Sequence, residues 1–179
     1  MYRTRILTES RLVCRVRTWI GIFMAFLVLS GITAFPLEWE LAVLKDHAAE
    51  LPAPMREWLH SVYAAIKETG TSHPCLFYGT DWLAFAHLVI AVAFVGPLRE
   101  PVKNIWVIQF GMIACLMVLP LALIAGPLRN IPFFWQLIDC SFGLLGLIPL
   151  VIVYRNIKRL ERYTKDVSAA LASHKSSSL

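Results

Sequence analysis

The chain has no Cys-x-x-Cys pair, although it carries 4 cysteines in 179 residues. Cys14, Cys75, Cys115 and Cys140 each stand alone, so a dithiol relay lacks its second thiol. There is no glycine-rich phosphate loop, no nucleophile elbow and no His-Glu-x-x-His helix. That removes the commonest signatures of nucleotide binding, serine hydrolysis and zinc proteolysis. Histidine is scarce: of 5 in the chain only His87 falls inside an apolar run, with His47, His60 and His73 between runs and His174 in the tail. Haem held by two axial imidazoles is therefore not expected, because its second ligand would have to come from His60 or His73. A zinc site from His73, Cys75 and Asp81 offers only three mixed ligands around a proline. No basic stretch is interleaved with aromatics, so the net charge of +5 is not a nucleic-acid signal.

What the chain has in excess is apolar residue. Hydrophobic types make up 58% of it and the mean hydropathy is +0.62, against about 45–50% apolar in an ordinary soluble domain. Four runs are long enough to cross a bilayer, which takes about 20 largely apolar residues. They cover 18–37, 79–97, 104–126 and 131–154. Pro120 and Pro149 lie inside the last two, which a spanning helix tolerates when neighbours satisfy the freed carbonyl. The first run is too long for a signal peptide, and its best exit, "ITA", puts Ile32 where a small residue is wanted. The expected fold is an all-α integral membrane four-helix bundle.

Orientation follows the basic residues of the short connections. The N-terminal stretch 1–17 holds Arg3, Arg5, Arg11, Arg15 and Arg17; the tail 156–179, entered from Arg155, holds Lys158, Arg159, Arg162, Lys165 and Lys175. The second connection adds Arg99 and Lys103. Segment 38–78 has Lys45, Arg56 and Lys67 against Glu38, Glu40, Asp46, Glu50, Glu57 and Glu68. Both termini are expected in the cytoplasm, with 38–78 outside, and the basic excess favours anionic lipid. Within that segment Met55, Trp58 or Leu59, Val62 and Ile66 share one helical face, which predicts an amphipathic helix capping the bundle or lying on the membrane. Pro54 suits its first position and Gly70 its end. "GPLR" occurs at 96–99 and at 126–129, reading as a helix stop used twice: glycine caps, proline prevents continuation, arginine meets the headgroups. The tail begins as a helix extension and ends in "SHKSSSL", expected to be disordered.

One residue type is out of place. Asp139 sits in "IPFFWQLIDCSFG", about seven residues or roughly 10 Å inside the outer end of its run. His87 lies at a similar depth in the second run, Ser30 in the first, and Gln136 one turn from Asp139. An unpaired carboxylate in lipid costs on the order of several kcal/mol, so it should face protein and find a partner. His87 is the first candidate and Arg129, in the short outer connection, the second; Asp81, Glu38 and Trp82 would ring the mouth. The candidate ligand-binding set is Asp139, His87, Gln136, Asp81, Arg129, Trp82 and Ser30, with Asp139 and His87 as the catalytic candidates. A hydrogen-bonded layer that fixes helix packing fits the same residues. Trp39, Trp58, Trp82 and Trp135 near one interface, and Trp19 and Trp106 near the other, form an ordinary aromatic belt.

"LSGITAFPLEWEL", "FYGTDWLAFAHLVIA" and "RNIPFFWQLIDCSFG" resemble the phrases of a family of small four-helix bacterial membrane proteins, over about Arg17 to Leu160. That resemblance implies a bacterial inner-membrane protein and brings no assigned activity. Quinone-linked thiol oxidases are similar in length and topology, but their Cys-x-x-Cys pair is missing here. The sterol-isomerase and sigma-2-receptor family shares only the four-helix architecture.

Three functions fit. The polar layer binds a lipid-like or other amphipathic small molecule, or the protein docks onto a larger membrane complex as an accessory subunit. Alternatively, Asp139 and His87 form the acid/base pair of a small intramembrane enzyme. In the third, the layer is helix glue in a structural subunit. "GLLGL" (143–147) suits packing within the bundle or between protomers.

Overall fold

The computed structural model describes the backbone of residues 2–176 and the side chains of residues 9–165. Seven α-helices and two short 3₁₀ turns make up the described chain, which contains no strand. The helices are α1 (Tyr2–Ala34), α2 (Leu37–Asp46), α3 (Ala53–Ser72), α4 (Phe77–Ala93), α5 (Val95–Arg99), α6 (Ile105–Leu128) and α7 (Phe133–Ser176). Four stretches are long and apolar enough to cross a membrane: Glu9–Ala34, Pro74–Arg99, Ile105–Leu128 and Phe133–Lys165. The expected all-α fold with four membrane-length helices is therefore observed. Of "SHKSSSL" (173–179), expected to be disordered, residues 173–176 are instead helical, because α7 continues to Ser176, and 177–179 lie outside the described residues.

The chain divides into two compact units, one made of Met1–Met24 with Ala93–Leu179 and the other of Ala25–Val92. In the first, the fully buried side chains are Val16 and Ile20 of α1, Phe94 and Pro97 around α5, Ile108 of α6, and Leu150, Val153 and Ile157 of α7. Phe23 and Phe94 stack with ring centroids 4.8 Å apart. Arg17 reaches over this core to the end of α5, its Nε donating to the Leu98 carbonyl at 3.1 Å and its Nη2 to that of Arg99 at 3.4 Å. Those carbonyls have no helical partner of their own, because the helix stops there.

Proline accounts for the break between α4 and α5. Pro97 has no N–H for the carbonyl of Ala93 and its ring crowds that turn, so the helix is interrupted at Phe94 and resumes at Val95. The "GPLR" motif does not stop helices in the expected way. The first copy is helical throughout and the second as far as Leu128, the helices end at Arg99 and Leu128, and no glycine has positive φ. The glycines serve close approach instead. A Cβ on Gly143 would lie 2.6 Å from the Cys115 carbonyl oxygen of α6, and one on Gly111 would lie 2.8 Å from the Phe94 ring. Bare backbone at these positions lets α6 and α7 close on one another, the role small residues play in membrane helices.

In the second unit, Leu59 and Ala48 are buried and Met55, Val62 and Ile66 half-buried, while Glu57, His60 and Lys67 are exposed. The apolar face read from the sequence is thus the packed face of α3. Pro54 takes the second helical position rather than the first, and Gly70 does not end the helix, which runs on to Ser72. The stop comes from Pro74, which disfavours helical geometry in His73, observed at φ −141° and ψ 59°. Gly31 of α1 packs on α4, where a Cβ would be 2.9 Å from the Ala84 carbonyl oxygen and 3.1 Å from the His87 Cβ.

Alanine at Gly143 must push backbone away from backbone, so Gly143→Ala is expected to destabilise the protein by about 1–3 kcal/mol. Gly21 has nothing within 4 Å of its missing Cβ, and Gly21→Ala should be neutral or stabilising by up to about 1 kcal/mol. Thermal unfolding in detergent micelles compares the two; equal shifts would remove close approach as the reason for Gly143.

Candidate functional site

The turn between α6 and α7 is built by the sequence "GPLRNIPFFWQ". Asn130 takes the left-handed conformation at φ 55°, which asparagine tolerates better than most residues. The Ile131 N–H then donates to the Gly126 carbonyl at 2.9 Å and the Asn130 N–H to that of Pro127 at 3.1 Å. This pattern closes a helix by satisfying its last carbonyls. Pro132 follows and starts α7, its carbonyl accepting from Trp135 and Gln136.

Gln136 completes the turn. It is 5% exposed, and its Nε2 donates to the Ile131 carbonyl at 2.8 Å. A Cβ on Gly126 would sit 2.7 Å from Gln136 Cγ, so the amide folds over bare backbone. The other "GPLR" copy is similar: Asn104 Nδ2 donates to the carbonyls of Gly96 at 3.2 Å and Glu100 at 3.1 Å, with its Cγ 3.3 Å from where a Gly96 Cβ would be. Gln136, one of the ligand-binding candidates from the sequence, has its amide nitrogen engaged in this turn.

Asp139 lies one turn further along α7, half-buried, between buried Cys140 and half-buried Ile138. Within its unit it makes no hydrogen bond or ion pair among the described residues. Arg129, the second expected partner, does not pair with it. Arg129 caps α6 and is exposed, while Asp139 is six residues, about 9 Å, down α7 from Phe133. An ionised carboxylate only accepts hydrogen bonds. Helical N–H groups at this depth already donate to carbonyls one turn back, so an ionised Asp139 finds no donor in the backbone of its own helix.

Ser30, Asp81, Trp82 and His87 belong to the other unit. Ser30 is exposed beside Gly31. Trp82 is 57% exposed and meets Tyr78 and Phe85 edge to face, centroids 6.0 Å apart in each case. Asp81 is half-buried near the start of α4, where Thr80 Oγ1 donates to the Phe77 carbonyl at 2.7 Å. His87 Nδ1 is 2.8 Å from the Leu83 carbonyl oxygen. A carbonyl only accepts, so this bond fixes the proton on Nδ1 and leaves Nε2 as a lone-pair nitrogen in the neutral ring. Among the described residues no three His, Cys, Asp or Glu side chains are grouped to hold a metal, and His73, Cys75 and Asp81 do not form such a set.

The sequence reading also missed an aromatic hollow in this second unit. Phe35, Glu38, Trp39, Tyr63, Gly70 and Phe77 line a cavity of about 590 Å³. Next to it Lys45 Nζ stands 5.1 Å from the centroid of the Tyr63 ring and 3.0 Å from Asp46. The hydrogen bond and charge of Asp46 hold the Lys45 ammonium above its ordinary pKa. The signal was a run of aromatics on either side of the 38–78 connection, which an interfacial belt accounts for equally well.

If Gln136 is a turn staple, Gln136→Leu should lower stability by about 1 kcal/mol, the worth of one hydrogen bond in such a turn. Bound small molecule, read by mass spectrometry of the detergent-solubilised protein, should not change.

Compared with known proteins, the chain matches no family model, no curated protein and no solved structure.

Proposed function

We propose that this is a multi-pass protein of a bacterial cytoplasmic membrane that binds a lipid-like or other amphipathic small molecule, with Asp139 as the group that receives its polar end. One observation carries the reading: a carboxylate in the apolar part of a membrane-length helix with no partner in its own unit. A charge in that position costs about 2.5–3.5 kcal/mol. A site that returns this cost by accepting from a ligand's hydroxyl, amide or ammonium explains why the carboxylate is kept. Gln136, Asn104 and Arg17 all donate to backbone carbonyls, a task an ionised Asp139 cannot perform.

Asp139→Asn keeps the size and removes the charge. Native mass spectrometry of gently extracted protein should find a small molecule on the wild type, and the variant should bind it roughly ten- to a hundredfold more weakly, as a lost hydrogen bond to a charged group would dictate. A wild type that carries no ligand but brings down a second membrane protein would replace this reading with that of an accessory subunit.

A second reading is acid/base chemistry with Asp139 as one of the catalytic groups; within the other unit, His87 carries a free Nε2, its Nδ1 being held by Leu83. In that case Asp139→Asn abolishes turnover while leaving folding and ligand binding nearly intact.

In the proposed orientation both termini are cytoplasmic and 38–78 lies outside, supported by 3 basic against 6 acidic residues in that segment and by the basic excess at the other end of the spans. Cys14 and Cys75 are both exposed. A membrane-impermeant maleimide applied to spheroplasts should label Cys75 and spare Cys14 until the membrane is opened; the opposite pattern would reverse the topology.

A further inference from the structure

The cavity in the Ala25–Val92 unit sits where the chain leaves one membrane-length helix and enters the next. Phe35 directly follows the stretch that ends at Ala34, and Phe77 is three residues into the stretch that begins at Pro74. A cavity lined from both points lies at the edge of the apolar region, the level at which lipid headgroups are found. Four of its walls are aromatic: Phe35, Trp39, Tyr63 and Phe77.

Its one charged wall is Glu38. Glu38 makes no ion pair among the described residues. Its Oε2 and the Phe77 ring edge each come within 3.4 Å of the point where a side chain on Gly70 would begin, so carboxylate and ring converge over bare backbone. Aromatic faces attract cations, most strongly quaternary and primary ammonium groups. The neighbouring Lys45, poised over Tyr63, shows one of these rings already holding an ammonium.

We propose that this cavity binds the ammonium headgroup of a membrane amphiphile, Glu38 supplying the counter-charge, the four rings the walls, and the adjoining lipid taking the tail. No basic side chain lines the cavity and the neighbouring Lys45 is already paired with Asp46, so an anionic headgroup finds no free partner and an uncharged one leaves Glu38 unanswered. The site uses none of the residues around Asp139.

Titration of dodecyltrimethylammonium into the full-length protein in dodecyl maltoside micelles, followed by tryptophan fluorescence, tests this. Dodecyl sulfate and dodecanol serve as comparators. The ammonium amphiphile should saturate and the other two should not. Glu38→Gln and, separately, Trp39→Leu should each weaken binding by about tenfold or more, with helicity by circular dichroism unchanged, and Asp139→Asn should have no effect. The proposal falls if all three amphiphiles respond alike, or if both cavity variants bind as the wild type does. Loss of binding on Asp139→Asn alone would also sink it, while leaving the reading of Asp139 standing.

Discussion

The constraint on which this molecule depends is that a backbone carbonyl in an apolar surrounding must find a donor. The chain has 10 prolines, and each one inside a helix, such as Pro97, Pro120 or Pro149, withdraws an N–H that a carbonyl one turn back would have used. Helix ends add their own unpaired carbonyls. Two donating side chains answer this demand where no backbone donor is at hand: Arg17 at the end of α5 and Gln136 in the turn before α7. Asn104, Ser141 and Thr80 add a second donor to carbonyls that turn or helix N–H groups already serve. Most polar residues in the apolar stretches therefore have a structural task, and that task requires a donor.

The same constraint separates Asp139 from its neighbours. Serine, threonine, asparagine, glutamine and arginine can all serve a carbonyl; an ionised carboxylate cannot. A polar layer built only to close helices would thus contain donors, as the two "GPLR" turns do in the amides of Asn104 and Gln136. When ionised, the acid needs a donor that arrives from elsewhere, whether another helix, another subunit or a ligand. Of these, the ligand is the occupant whose loss can be read directly in a charge-removing, size-preserving substitution.

How far the sequence discloses this differs by feature, for physical reasons. Membrane-length helices are legible because apolar length is a property of contiguous residues, and the packed face of α3 is legible because Met55, Leu59, Val62 and Ile66 repeat with the helical period. The "GPLR" motifs mislead. In isolation Gly-Pro reads as a stop, since glycine favours caps and proline breaks the ladder. Yet the chain remains helical through Gly and Pro of both, the helices ending at Arg99 and Leu128. What selects glycine there is a side chain eight or ten residues further on, Asn104 over Gly96 and Gln136 over Gly126. No local pattern carries that information. Gly143 is opaque in the same way, because the atom that requires it, the Cys115 carbonyl oxygen, is on another helix.

Asp139 and Glu38 are both carboxylates without a described partner in their own units, and their settings differ in what they can recognise. Asp139 is flanked by apolar side chains within a membrane-length helix, where a low dielectric makes any donor count heavily and lets a neutral hydroxyl or amide suffice. Glu38 is in the first turn of α2, at the end of an apolar stretch. There water competes for it, and a simple hydrogen bond would bring little. A full positive charge, shielded from water by aromatic rings, is the partner that still gains from such a position. Burial and ring composition thus assign different chemistry to two acids that a list of charged residues would treat as alike.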